Sequence, residues 1–103
     1  MSSPFPIACQ IESLTVEERA TQKRLWAHLA AHAREIKEHE TGYSLRFGAR
    51  ESLSELALLM LIEARCCPFL SIRVEYSPDE SKITLFGPAP TKDILRAQLH
   101  PTT

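Results

Sequence analysis

The sequence predicts an α+β domain in the order helix, strand, helix, strand, strand, helix, with a small three-stranded mixed sheet packed on the helices. Three observations carry this expectation. Thr15 with Glu18 and Ser52 with Glu55 are capping boxes, each opening a helix-length stretch. Tyr43, Leu45 and Phe47 alternate with Ser44 and Arg46, the period of a half-buried strand. Ile72, Val74 and Tyr76 alternate in the same way with Arg73 and Glu75, and the turn-like Ser77-Pro78-Asp79-Glu80 leads into a second strand-like run.

From Met1 to Glu12, Phe5, Ile7, Cys9 and Ile11 alternate with Pro6, Ala8, Gln10 and Glu12, which predicts an extended segment against the body. Pro6 would confine any strand there to a sheet edge, because proline donates no ladder hydrogen bond. The first helix is expected over Val16 to Glu40, ending at Thr41-Gly42. Its seam is Leu25, Leu29, Ala33 and Ile36 with Trp26 beside it, while Glu17 to Arg24 reads as solvated or partner-facing. A strand follows over Tyr43 to Phe47, then a helix over Leu53 to Cys66 that Pro68 must end. Leu56 to Ile62 is apolar around the whole circumference and so demands cover on every side. Phe69 to Tyr76 and Lys82 to Phe86 should form a hairpin, and a right-handed crossover through the second helix should join the first two strands in parallel. Pro90 precedes a last helix over Thr91 to Leu99, and residues 100–103 read as a flexible tail.

At 103 residues the chain accommodates one domain, residues 1–103, large enough for a core without staples. Twelve Lys+Arg against thirteen Asp+Glu leave a net charge of −1, which argues against nucleic acid or an anionic membrane as partner. The longest apolar run, Leu56 to Ile62, is far short of the ~18 residues of a membrane span. With no signal-peptide pattern at the start, the sequence predicts a cytoplasmic location.

One feature stands above this background, the vicinal pair Cys66-Cys67 at the end of the second helix. Adjacent Cα atoms lie about 3.8 Å apart, closer than a disulfide favours, so the two are poorly disposed to bond to each other. Two adjacent thiolates instead suit a soft acceptor such as Zn, Cu(I), Hg(II) or As(III). Cys9 could add a third thiolate if its segment docks across the helix end. Glu63 precedes the pair by three and four residues and shares their helical face, as a fourth ligand or as a group that moves protons. Arg65, within one turn, should favour thiolate, whereas the helix C-terminus should oppose it.

Three functional readings follow: a binding protein for a thiophilic metal or metalloid; a thiol-dependent enzyme or redox protein using Cys66 or Cys67 with Glu63; and an interaction module in which the cysteines are small buried hydrophobes. His28, His32 and His39 with Glu35 recur at helical spacing and form a weaker metal-ligating stripe. A Gly-rich phosphate loop, a Gly-x-Ser-x-Gly elbow and a Cys-x-x-Cys pair are all missing from the sequence.

Ile7-Ala8-Cys9, Glu18-Arg19, Gly42-Tyr43 through Arg46-Phe47, Glu63-x-Arg65-Cys66-Cys67-Pro68-Phe69 and Leu85-x-Gly87-Pro88 with Lys92 span nearly the whole chain. In these segments the sequence resembles a family of small bacterial proteins of unassigned function and similar length, whose most distinctive motif is Glu-x-Arg-Cys-Cys-Pro-Phe. The resemblance implies that Cys9 belongs with Cys66 and Cys67. It implies a heavy-metal-resistance context, which would suit mercury or arsenic, and it implies no activity. The histidine stripe is not part of that pattern.

The apolar circumference of the second helix also predicts a partner. A three-stranded sheet shields one side and the first helix a second, so a homodimer built on the first two helices is expected.

Overall fold

The computed structural model describes residues 10–100 of the chain. Its elements run α1 (Val16–His32), β1 (Glu35–Glu38), β2 (Gly42–Gly48), α2 (Leu53–Cys66), β3 (Ser71–Tyr76), β4 (Glu80–Phe86) and α3 (Thr91–Leu99). A short 3₁₀ turn, Ile11–Ser13, precedes α1 in place of the last part of the expected extended segment. The rest of that segment and residues 101–103 lie outside the described residues.

The class is α+β, but the sheet has four antiparallel strands in the order β1-β2-β4-β3. The expected three-stranded mixed sheet is corrected in two respects. First, the predicted helix to Glu40 ends at His32, and the chain turns into β1. The N–H of Ala33 still closes the last helical turn on the Leu29 carbonyl, while its own ψ of 131° has already become extended. Ala33 and Ile36 continue the helical seam of Leu25 and Leu29 by spacing alone. Ile36 is instead the inward residue of a strand, opposite Leu45 of β2. Second, β2 and β3 are not neighbours, because β4 inserts between them and pairs antiparallel with both. The crossover through α2 therefore joins two strands that share a direction but no hydrogen bonds.

This register places apolar side chains in rows across the sheet. Ile36, Leu45, Ile83 and Val74 form one row, and Tyr43, Leu85 and Ile72 another. The helices pack over those rows, contributing Leu25, Trp26 and Leu29 from α1, Leu56 and Leu59 from α2, and Leu95 and Leu99 from α3. The opposite face carries charge, with Arg46 paired to Glu35 and Glu80, and Lys82 to Glu75. Side chains alternating in period two thus give this single-layer sheet one apolar and one wetted face.

The first capping box forms as expected, with Thr15 Oγ1 accepting from the Glu18 N–H and the Thr15 N–H donating to Glu18 Oε1. The second does not form. Ser52 occupies the N-cap of α2 without a side-chain cap bond, and its hydroxyl is buried without a partner. Within one chain α2 is covered only in part. Leu56, Leu59 and Ile62 are buried, but Leu58 is 42% and Leu61 63% exposed.

Candidate functional site

The end of α2 brings Glu63, Cys66 and Cys67 together under α1. Their side-chain ligand atoms lie within 4.8 Å of one another, and all three residues are buried. Backbone hydrogen bonds fix the turn that converges them. The Cys67 N–H donates to the Glu63 carbonyl at 2.7 Å, the Leu70 N–H to the Cys67 carbonyl at 3.0 Å, and the Gln10 N–H to the Cys66 carbonyl at 2.6 Å. Pro68 then supplies no N–H to extend the helix.

Two residues of α1 pack against this buried group. Gln22 Nε2 donates to Glu63 Oε2, and the other carboxyl oxygen lies 3.9 Å from Cys67 Sγ. The buried indole N–H of Trp26 has no hydrogen-bond partner of acceptable geometry. It is nonetheless close enough to oppose, together with Gln22, the rise that burial imposes on the Glu63 carboxyl. Burial wins that contest, so the Glu63 carboxyl titrates above the ordinary carboxylate range.

The Cys66 thiol is pushed up chiefly by burial, which outweighs the lowering from the Gln22 hydrogen bond, and the Glu63 charge adds a smaller rise. Arg65 does not face the sulfurs. Its guanidinium donates to Glu18 and to the Ser13 carbonyl at the start of α1, so the expected help toward thiolate is spent on a surface ion pair. Of the two vicinal sulfurs, Cys66 is a free thiol and Cys67 is disulfide-bonded. The two are therefore not bonded to each other, in line with their short Cα separation.

The sequence-derived site is thus brought together in Glu63, Cys66 and Cys67, while Cys9 lies outside the described residues. The histidine stripe is corrected. His28 and His32 stack at 4.1 Å between ring centroids on α1, but the helix ends before His39, whose Nε2 lies 2.8 Å from Ser44 Oγ. Glu35 sits on β1 against Arg46. With the helix broken at Ala33, the four residues no longer share a face.

Gln22 and Trp26 are neighbours of the candidate site that the sequence pattern does not single out. Gln22 sits in the run Glu17 to Arg24, read as solvated, yet it is one of the buried polar residues. Its signal was spacing: Gln22, Leu25, Trp26 and Leu29 occupy i, i+3, i+4 and i+7 of one helical stripe. A polar residue continuing an apolar stripe is a candidate for a buried polar contact.

No protein-family model, curated protein or solved structure matches this chain. Among the described residues, no helix is long and apolar enough to cross a membrane.

Proposed function

We propose that the reduced protein binds a thiophilic metal or metalloid ion through Cys66 and Cys67, with the Glu63 carboxyl beside them. The observation that carries this reading is the convergence of one carboxyl and two vicinal sulfurs, all buried, within 4.8 Å. Two metal–sulfur bonds of about 2.3 Å each can bridge such a separation. Because a disulfide sulfur is not a thiolate ligand, uptake requires Cys67 to be reduced first.

Charge accounting narrows the ion. Among the described residues the nearby cation Arg65 is committed to Glu18, so the buried reduced pair is best kept neutral as two thiols. A soft divalent ion that displaces both thiol protons leaves the charge of the sulfur pair unchanged. This favours two-coordinate soft ions such as Hg(II). Zn(II) prefers four ligands, and three converge among the described residues.

The same geometry weakens the nucleophile reading, because a buried thiol held above its ordinary titration range is a poor attacking group. The interaction-module reading competes more directly, because complete burial of Cys66 is also what a small core residue would show.

Native mass spectrometry under reducing conditions, offering Hg(II), As(III), Cu(I) and Zn(II) in turn, separates the two. One retained soft ion per chain, lost in the Cys66→Ser/Cys67→Ser variant, is expected. No retained ion, or equal retention by the variant, overturns the proposal in favour of a core role.

A further inference from the structure

Cys67 is disulfide-bonded, while its immediate neighbour Cys66 is a free, fully buried thiol. The chain has three cysteines, so a bridge that closes within one chain joins Cys67 to Cys9. The start of the described chain is fastened beside the same turn. The Gln10 N–H donates to the Cys66 carbonyl at 2.6 Å, the Ser13 hydroxyl to the Arg65 carbonyl at 3.4 Å, and the Arg65 guanidinium to the Ser13 carbonyl at 2.9 Å. These contacts lay residues 10–13 along the last turn of α2 without the help of any sulfur. Cys9 is the residue bonded to the Gln10 nitrogen, roughly 2.4 Å from its own Cα to that atom. Chain connectivity therefore brings Cys9 to the end of α2, where a disulfide's usual Cα separation of about 4.4–6.8 Å can be met.

We infer that Cys9 and Cys67 form an intramolecular disulfide that gates the sulfur site, closing it when oxidised and releasing its ligands when reduced. The gate rests on the ion-binding reading above; the bridge does not. One sulfur serves both purposes, because Cys67 is at once half of the bridge and half of the vicinal pair. The oxidised chain therefore keeps Cys66 as its one thiol, too few for a soft ion that takes two thiolates. The contacts of Gln10 and Ser13 involve no sulfur, so they persist on reduction and keep Cys9 near enough for the bridge to close again.

A dithiol reductant opens the bridge in two exchange steps. Its first thiolate bonds to one bridge sulfur, and the other bridge sulfur leaves as a thiolate that takes up a proton. Its second thiolate then displaces the remaining bridge sulfur, which is protonated in turn. The reductant ends as a disulfide and Cys9 and Cys67 end as thiols, so two electrons and two protons have passed to the protein.

The full chain, equilibrated with oxidised or with reduced dithiothreitol, is denatured in an alkylating reagent, digested with trypsin and mapped by mass spectrometry. The oxidised chain should yield peptide 1–19 joined to peptide 66–73 through Cys67, with the alkyl group on Cys66, and the reduced chain should carry three alkyl groups. Three alkylated cysteines after oxidation, a Cys66–Cys67 bridge, or Cys67 joined to a second chain overturns the bridge. Native mass spectrometry with Hg(II), after removal of dithiothreitol, tests the gate. The oxidised chain should retain at least about tenfold less ion than the reduced chain, and Cys9→Ser should retain it equally after either treatment. Equal retention by the oxidised and reduced wild type overturns the gate and spares the ion-binding reading. If neither form retains Hg(II), the bridge stands, and the ion-binding reading falls together with the gate.

Discussion

Ser52 shows how one side chain can hold the expected position and still fail at the expected job. As the N-cap of α2 it should donate stability by accepting a backbone N–H, and in that role Ser→Ala costs about 0.5–2 kcal/mol. Here the hydroxyl makes no cap bond and is buried without a partner. A buried unsatisfied group costs about 1–3 kcal/mol, so the sign of the substitution reverses. Ser52→Ala is expected to stabilise the fold by about 1 kcal/mol in urea denaturation, and a loss of stability would show that the hydroxyl is satisfied in solution. The capping pattern was legible in the sequence; the φ of −129° and ψ of 23° that withhold the bond were not. The site residues divide in the same way. Glu63 and the vicinal cysteines were legible because one helical turn places them together. Gln22 lies 41 positions from Glu63 and meets it only through tertiary packing.

At the scale of elements, the clearest departure is β1. Between Ala33 and Glu40 the only large apolar residue is Ile36, so a helical and an extended reading both place one side chain inward. Local pattern could not choose. The choice was made by β2, which offers an open edge whose Glu35↔Arg46 to Glu38↔Tyr43 register satisfies the backbone of the new strand. The α2 boundaries were legible because Ser52 and Pro68 both limit a helix locally, and the β3–β4 hairpin because its turn residues sit between alternating runs. β2 and β4 approach so closely that Gly42 is needed at their end. A Cβ there would lie 1.9 Å from the Leu85 carbonyl oxygen, an atom of the backbone that cannot swing aside. Gly42→Ala should therefore part the strands and cost at least about 2 kcal/mol, read as a lower denaturation midpoint. A neutral result would mean that the strand end adjusts freely. That would weaken the alignment of Tyr43 with Leu85 and of Gly42 with Phe86.

For the whole molecule, two carboxylates tie elements that lie far apart in the sequence. Glu18 ties the start of α1 to the end of α2 through Arg65, and Glu38 ties β1 to α3 through Lys92 at 2.6 Å and Arg96 at 3.9 Å. The Glu18 carboxyl is held below its ordinary range first by the Thr15 backbone N–H and then by Arg65, and that of Glu38 by Lys92. A carboxyl that titrates lower when folded binds fewer protons than in the unfolded chain. Its contribution is therefore present above the ordinary carboxylate range and is lost as pH falls through the folded value. Both groups reach solvent, so their contribution should also fade with salt. Acidification from neutral pH is expected to lower the melting temperature, and E18Q/E38Q should start lower at neutral pH and fall less steeply. Molar sodium chloride should shrink the difference between the two proteins. If the double variant kept the wild-type slope, acid sensitivity would have to arise elsewhere, and these ion pairs would be surface ornaments on a fold held by its apolar rows.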